Sequence, residues 1–374
     1  MVINRQISRR SFIGGLGAKV VLAGALPGAA LASRRGRQDS LSADEPVILS
    51  SNESPYGPFP SAIEAMRGAL HRAARYADDE SERLAQSLAN MHGVEQEMIL
   101  LGAGSTEILK MAALAFLGPD RRLVMADPTF EAIADYAQAN RARAVKVPLT
   151  KDYKHDLHRM LSVIDKKTRL VYICNPNNPT GTIVGGRPLQ DFISKIPSEC
   201  VVIIDEAYHD FVDDPDYESM IEKAKSAKNV VITRTFSKIY GLAGLRTGYA
   251  VGHPDLIRAM ERHRVFDSIN LMGAIAARAS IADGEMVAKR KKMNNDARQK
   301  LYDDLRRLGF EYIPSQANFV MIDLRKDIKP VIESMIRREV YVGRLFPAMP
   351  NFLRVSMGSA EEMRRFLAAL KASI

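Results

Sequence analysis

The stretches CVVIIDEAY at residues 200–208 and NVVITRTFSK at residues 229–238 decide the fold of this chain. Each begins with a short, continuously apolar run and ends in polar residues that can bind or react. Runs of this kind are typical of strands that are buried on both faces of a mostly parallel sheet. Because open α/β sheets bind ligands at the carboxyl ends of their strands, we expect a functional site where these runs end.

Similar apolar runs alternate with amphipathic stretches, which predict helices at 61–74, 80–92 and 105–117. The predicted strands are 98–101, 121–126, 143–147, 168–173, 200–205, 229–234 and 248–252. This alternation predicts an α/β fold with a mostly parallel, seven-stranded sheet. We assign these elements to a large domain at residues 61–270.

After residue 270 the pattern becomes typical of a smaller α+β domain, which we assign to residues 271–374. Its predicted elements are helices at 271–283, 285–308 and 359–372 and strands at 318–323 and 351–356. The irregular, Pro-rich segment 33–60 is predicted to be an arm that packs on this smaller domain.

The composition is that of an ordinary globular protein, with 374 residues, 46% hydrophobic and 26% charged. A net charge of +9 could attract nucleic acid or anionic substrates. We expect no nucleic-acid partner, since the sequence has no helix-turn-helix, zinc finger or aromatic-basic array. Cys174 and Cys200 have neither metal-ligand spacing nor a disulfide framework, so we expect no metal and interpret both as core residues.

The first 32 residues resemble a twin-arginine signal peptide. Arg9-Arg10 precedes a weakly apolar, Gly/Ala-rich run that closes on Ala30-Leu31-Ala32, a small-x-small pattern typical of signal-peptidase sites. The run is short and interrupted by Lys19, so a stable membrane span is not expected. The signal predicts a periplasmic or otherwise exported protein. The alternative is a basic extension without a targeting role, and then a cytoplasmic protein.

Lys238 is the best nucleophile candidate, because a lysine amine can form an imine with an aldehyde cofactor. The hydroxyls of Thr235 and Ser237 flank it, and Arg246 follows eight residues later. Hydroxyls and a guanidinium are the donors expected around a phosphate. The alternative is an ordinary solvated lysine at the end of a strand.

Asp205 ends the apolar run 201–204, where a buried carboxylate is costly unless it is paired. A protonated pyridine nitrogen would pair with it, and this pairing makes pyridoxal 5′-phosphate (PLP) an electron sink. The alternative is an aspartate that caps a turn or forms an ion pair.

Two further loops carry candidate ligands. In NPNNPTG, residues 175–181, two prolines and a glycine favour a rigid turn from which Asn178 can donate a hydrogen bond. In GAGSTE, residues 102–107, small residues before a helix let a phosphate approach the free N–H groups of the helix N-terminus. This loop is neither a GxGxxG motif nor a P-loop, and Ser105 or Thr106 is alternatively a simple helix cap.

Taken in order, these motifs resemble those of the PLP-dependent aminotransferases of fold type I (class I and II), in particular the histidinol-phosphate aminotransferase branch. The ordered set comprises the glycine loop, Phe130 after Pro128-Thr129, NPNNPTG, DEAY, TFSK and Arg246. The resemblance runs from SNESPYG at residues 51–57 to about residue 360.

The resemblance implies roles for the cofactor site. Lys238 would hold PLP as an imine and later move a proton, and Asp205 would pair with the pyridinium nitrogen. Asn178 and Tyr208 would hydrogen-bond the ring hydroxylate, and Phe130 would stack on the ring. The residues around the phosphate would be Ala103, Gly104, Ser105, Thr235, Ser237 and Arg246. Tyr76 matches a tyrosine that reaches the partner subunit's phosphate, which implies a homodimer.

For the substrate, the resemblance implies that Arg354 clamps the α-carboxylate or its equivalent as a bidentate pair. The alternative for Arg354 is an intramolecular ion pair. Tyr56 and Asn318 match positions that line the substrate pocket. Arg344 follows the strand-like Val340-Tyr341-Val342 only after Gly343, one residue later than in the family pattern. Arg344 is either a ligand for an anionic side chain or phosphate, or a surface cation.

The leading hypothesis is therefore a transaminase. It would move an amino group between an amino acid, or a histidinol phosphate-like amine, and a 2-oxo acid such as 2-oxoglutarate. The shared covalent carrier predicts ping-pong kinetics. One alternative is a decarboxylase of the related threonine-phosphate decarboxylase type. Another is a non-catalytic PLP-binding regulatory protein, although no residues remain for the DNA-binding domain that such regulators add.

Overall fold

The computed structural model describes residues 45–374, so the predicted signal at 1–32 and the start of the arm lie outside the described residues. The described strands are β1 (Val47–Ile48), β2 (Ile99–Gly102), β3 (Arg122–Asp127), β4 (Arg143–Pro148), β5 (Thr168–Cys174), β6 (Val201–Asp205), β7 (Val230–Thr235), β8 (Gly248–Gly252), β9 (Glu311–Ile313), β10 (Phe319–Asp323), β11 (Val340–Tyr341) and β12 (Phe352–Ser356). The described α-helices are α1 (Pro60–Ala69), α2 (Asp78–His92), α3 (Ser105–Phe116), α4 (Ala132–Ala139), α5 (Leu157–Ser162), α6 (Gly186–Ser194), α7 (Ile221–Ser226), α8 (Pro254–Glu261), α9 (Leu271–Ile281), α10 (Gly284–Arg307), α11 (Lys329–Ile336) and α12 (Ala360–Lys371).

The main sheet has seven strands in the order β2-β8-β7-β6-β5-β3-β4. Strand β8 is antiparallel to β2 and β7, and the other neighbouring pairs are parallel. The predicted mostly parallel, seven-stranded sheet is confirmed, and each predicted strand end lies within one residue of the observed end. The first predicted helix was too long, because α1 ends at Ala69 and a 3-10 turn follows at Leu70–Arg72.

Two apolar layers enclose this sheet, because successive strand residues point to opposite faces. Along β6, Val202 and Ile204 contribute to the layer that includes residues of α2, α5, α6, α7 and α9. Val201 and Ile203 contribute to the other layer, with residues of α3, α4 and α8. The result is a three-layer α/β/α arrangement in which β6 is buried along its whole length.

The register of the sheet brings several strand ends to one edge. Cys174 of β5 pairs with Asp205 of β6, and Asp205 pairs in turn with Thr233 of β7. Gly248 of β8 lies between Gly102 of β2 and Thr235 of β7. The loops that follow β2, β5, β6 and β7 therefore leave the sheet on the same side, and these loops carry the predicted site.

A second, three-stranded antiparallel sheet, β12-β10-β9, shares a separate apolar cluster with α10, α11 and α12. The short strand β1 pairs in parallel with β11, and Val47 and Leu49 are buried in this cluster. Helix α9 packs on α1 and α2. The described residues 45–374 belong to one compact unit, so the division into an arm (33–60), a large domain (61–270) and a small domain (271–374) stays a prediction.

Within residues 45–374, no helix combines the length and the apolar character that a membrane crossing requires.

Candidate active site

Lys238 lies in the turn that follows β7 and is partly buried. Its Nζ donates a hydrogen bond to the carbonyl oxygen of Ser51 at 3.3 Å and lies 5.5 Å from the centre of the Tyr208 ring. Burial and the nearby guanidinium of Arg354 lower the pKa of Lys238 to about 8. About a tenth of the amine is therefore neutral at pH 7, far more than for an ordinary lysine, and the neutral amine is the nucleophile.

Asp205 is the last residue of β6 and is only 2% exposed. Its carboxylate accepts hydrogen bonds from the Tyr172 hydroxyl at 2.9 Å and from the Ala207 N–H at 3.2 Å. It forms no ion pair with any residue of the range 45–374, and burial raises its pKa. The hydrogen bond from Ala207 is a turn cap, one of the alternatives considered for Asp205. The buried carboxylate nevertheless has no cation beside it within residues 45–374. A protonated pyridine nitrogen fits this carboxylate.

Arg246 adopts a left-handed backbone conformation with φ +52°. Its Nη1 donates to the Ala243 carbonyl at 3.0 Å and to Ser237 Oγ at 3.4 Å, and its Nη2 donates to the Ala103 carbonyl at 3.3 Å. Thr235 Oγ1 donates to Ser237 Oγ at 3.0 Å. In the described part of the chain, Arg246 has no carboxylate partner, so its positive charge remains available for an anion.

The glycine loop lies against this arginine. Helix α3 begins at Ser105, directly after Gly104 with φ +78°. The positive φ of Gly104 favours glycine, and a Cβ atom there would stand 2.3 Å from Arg246 Nη2, so any side chain would displace the guanidinium from this loop. The first N–H groups of a helix lack helical partners and favour anions. Together with Arg246 and the two hydroxyls, they form a donor set that fits the phosphate of PLP.

Tyr208 is buried, and its hydroxyl accepts a hydrogen bond from Asn52 Nδ2 at 3.0 Å. Burial raises the pKa of Tyr208, so its hydroxyl stays protonated and can donate to a ring oxygen. Asn52 has φ +56° and accepts a hydrogen bond from Ser356 Oγ at 3.1 Å. Sequence reasoning missed Asn52, although asparagine is one of the few residues that tolerate such a backbone.

Arg354 is on β12 and is 8% exposed. Its Nη1 donates to Asn178 Oδ1 and its Nη2 donates to the Ser50 carbonyl, both at 2.7 Å. Its Nε finds no hydrogen-bond partner in the described part of the chain, and burial lowers the pKa of Arg354 to about 10. No carboxylate from residues 45–374 pairs with it. The structure thus brings Arg354 and Asn178 together and shows no ion pair of Arg354 within residues 45–374.

The other predicted substrate residues lie nearby. Arg344 is stacked on the Phe346 ring, 4.4 Å from its centre, and its Nη2 donates to the carboxylate of Glu131. Asn318 is buried, and its Nδ2 donates to the Asn52 carbonyl at 3.1 Å. Asn318 and Tyr56 line one cavity of about 20 Å³, which has room for about one water molecule.

Two predicted residues are not brought to Lys238 by contacts of this single chain. Phe130 is partly buried and packs on the apolar layer of α3 and α4. Its neighbour Thr129 donates to Asn177 in the NPNNPTG loop at 2.7 Å. Tyr76 is 76% exposed on the surface.

Arg290 is a further residue that sequence reasoning missed. It lies on α10, is buried, and its Nη2 donates to the carbonyl oxygens of Tyr56 at 3.1 Å and Gly57 at 3.4 Å. Its guanidinium carbon lies 4.7 Å from the centre of the Tyr56 ring. Arg290 therefore holds the SNESPYG segment in place. The stretch RKKMNNDARQK around it gave no signal, because nearly every position is polar.

The fold and this site define a PLP-dependent enzyme of fold type I. At the carboxyl edge of a mostly parallel sheet, the structure brings together a lysine with a lowered pKa, a buried carboxylate that no cation of residues 45–374 pairs with, and a loop whose donors fit a phosphate. Residues 44–370 match the family model described as aminotransferase class I and II. The chain belongs to this family and is a PLP-dependent aminotransferase.

Individual relatives agree with this assignment. A histidinol-phosphate aminotransferase of Moorella thermoacetica is 40% identical over 337 residues, which are 89% of this chain and 87% of that protein. One of Caldicellulosiruptor saccharolyticus is 36% identical over 333 residues, 88% of this chain and 92% of that protein. The histidinol-phosphate aminotransferase of Sinorhizobium meliloti in complex with pyridoxal-5′-phosphate is a structural neighbour with a TM-score of 0.83 and 27% identity. That match covers 88% of this chain and 91% of the other.

The lowered pKa of Lys238 predicts how the apo-protein takes up PLP. Below its pKa the amine is protonated and unreactive, so the rate of attachment should rise about tenfold per pH unit and level off above about pH 8. Stopped-flow absorbance measures this rate, and reduction followed by mass spectrometry locates the label. A free lysine side chain is the reference, and its rate should keep rising to about pH 10. A protein rate that follows the free lysine would show that the Lys238 environment is not as described.

Proposed function

We propose that this aminotransferase moves an amino group from an amino acid, or from a histidinol phosphate-like amine, to a 2-oxo acid such as 2-oxoglutarate. Lys238, Asp205, Tyr208 and Asn178 would serve the cofactor, and Arg354 would bind the substrate's α-carboxylate. The observation that carries this proposal is the buried guanidinium of Arg354, whose Nε has no hydrogen-bond partner and which pairs with no carboxylate among residues 45–374.

A buried cation without a counter-ion is costly, and a bound anion removes that cost. A carboxylate is the natural anion, because a guanidinium donates two parallel hydrogen bonds to it. Arg354 is also close enough to Lys238 to lower the pKa of the lysine. A carboxylate on Arg354 would therefore hold the reacting carbon of an amino acid or 2-oxo acid near Lys238 Nζ.

The other side chains would orient the cofactor ring and carry out the proton transfer. Asp205 would hold the proton on the pyridine nitrogen, and the Tyr208 hydroxyl would donate to the ring oxygen. Lys238 Nζ would accept a proton from the substrate's α-carbon and give it back at the accepting carbon, a task that suits a pKa of about 8. Bound PLP supplies the electron sink for this proton transfer.

Exchange of Arg354 for glutamine tests the carboxylate clamp. We expect kcat/KM for 2-oxoglutarate to fall by about two to three orders of magnitude, since a buried charge contact is lost. The measurement uses enzyme loaded with pyridoxamine phosphate, so that no donor has to be known. PLP absorbance and Tm of Arg354→Gln serve as controls for the cofactor site and the fold. If Arg354→Gln reacts as fast as wild type, Arg354 does not bind the carboxylate.

We also infer a homodimer in which Tyr76 completes the partner's phosphate site. Tyr76, Leu70 and Phe266 are exposed apolar side chains, and Phe266 is 89% exposed. A second copy that covers these side chains would remove their apolar surface from water. Ser268, in the same loop as Phe266, donates to Glu107 at 2.9 Å, and Glu107 also accepts the N–H of Ala103 in the phosphate loop. A second copy that covers this loop would bring its own Tyr76 close to that site.

Mixed dimers test the shared site. Tyr76→Ala and Lys238→Ala should each be poorly active alone, yet unfolding and reassembling them together should restore about a quarter of wild-type activity. Half of the dimers would be mixed, and each mixed dimer would hold one intact site. Activity per dimer is measured after separation from monomers. A mixture no more active than its components would contradict the contribution of Tyr76 in trans.

Finally, we infer export through a twin-arginine signal at residues 1–32, supported by Arg9-Arg10 and the Ala30-Leu31-Ala32 pattern. Residues 1–36 fused to a reporter that is active only after folded export should direct it across the membrane. Replacing Arg9 and Arg10 by lysines should block export, while the control Lys19→Gln should not. Export that is insensitive to the arginine pair would exclude this route.

A further inference from the structure

We propose that Glu131 modulates the preference of this enzyme between acidic and neutral substrate side chains by acting as the counter-ion of Arg344. The inference rests on the proposed function, in which the site accepts a 2-oxo acid through Arg354. The carboxylate of Glu131 accepts a hydrogen bond from Arg344 Nη2 in the ligand-free protein. Glu131 directly follows Phe130, and under the predicted role of Phe130 in stacking on the cofactor ring this ion pair lies on the ring side of the site.

The two arginines share one aromatic ring. The guanidinium carbon of Arg344 lies 4.4 Å from the centre of the Phe346 ring, and that of Arg354 lies 5.3 Å from the same centre. The two carbons are therefore at most about 10 Å apart. Their charges also interact, since Arg344 contributes to the lowered pKa of Arg354 after the larger effect of burial. A substrate with a carboxylate on Arg354 could thus place a second anionic group on Arg344.

The two guanidiniums differ in their counter-ions. Arg354 has no carboxylate partner among residues 45–374, whereas Arg344 already has Glu131. A substrate with an acidic side chain must displace Glu131 to reach Arg344. A substrate with a neutral side chain leaves the ion pair intact and buries no unpaired arginine charge. A ping-pong enzyme has to accept both partners at one site, and an exchangeable counter-ion allows this.

The ion pair is suited to exchange because it is weak. The side chain of Arg344 is 54% exposed and that of Glu131 is 36% exposed. Exposed pairs of this kind change an equilibrium by about fivefold at most. Glu131 precedes the first residue of α4, yet its side chain makes no helix-capping hydrogen bond. Its carboxylate is directed to Arg344 instead, across the gap between the loop after β3 and the loop after β11.

Substitution of Glu131 by glutamine tests this role. Wild-type and Glu131→Gln enzymes are loaded with pyridoxamine phosphate and mixed with 2-oxoglutarate or, as the neutral-side-chain acid, with pyruvate. We expect kcat/KM for 2-oxoglutarate, relative to that for pyruvate, to rise about two- to fivefold in Glu131→Gln, since the competing carboxylate is gone. In an Arg344→Gln background the same substitution should leave this ratio unchanged.

Asp135 supplies the matched control, because it is an exposed carboxylate on the adjoining helix α4 and forms no ion pair within the described range. Asp135→Asn should leave the ratio as in wild type. The proposal is overturned if Glu131→Gln leaves the ratio unchanged or lowers it, or if its effect persists without Arg344. If instead wild-type enzyme reacts with neither acid, the proposed function itself fails, and the two failures are thereby distinguished.

Discussion

The strands β5, β6 and β7 run parallel and in register, so that Cys174, Asp205 and Thr233 lie side by side. This alignment fixes where the chain can do chemistry, because the following loops all leave the sheet at one edge. Asn178 follows the end of β5 by four residues and Lys238 follows the end of β7 by three, so both side chains lie at this edge of the sheet. Buried apolar strand residues stabilise the alignment from both faces, so the rigid part of the fold positions the reactive side chains that its loops carry.

The buried charged side chains are of two kinds, those that form an ion pair and those that have no oppositely charged partner among residues 45–374. Arg234 and Glu206 are both buried and form a direct ion pair at 2.8 Å, as a structural pair must in a region of low polarity. Arg354 and Asp205 are buried as deeply, yet neither has an oppositely charged partner in the described range. The cost of these two unpaired charges is the strongest physical sign of a ligand, because a bound carboxylate and a bound pyridinium would each remove one of them.

How far the sequence predicts this structure depends on whether a feature is local. Most of the seven strands were predictable because they are short apolar runs bounded by polar residues, whereas the edge strand β4, with Arg143 and Lys146, is only partly apolar. The helices of six to nine residues, α4 to α8 and α11, were not predicted, since so short a segment shows too little periodicity. Lys238 could be identified within its own motif. Glu131 could not, because its partner Arg344 is 213 positions away and only the folded chain brings them together.

The pKa of Lys238 connects substrate binding with proton transfer. Part of its lowering comes from the positive charge of Arg354, after the larger effect of burial. Under the proposed function, an α-carboxylate that pairs with Arg354 neutralises this charge. The pKa of Lys238 then rises toward that of an ordinary lysine, because a like charge no longer opposes protonation. The same carboxylate that orients the substrate would thus make the nearby amine a stronger base at the moment when a proton has to be accepted.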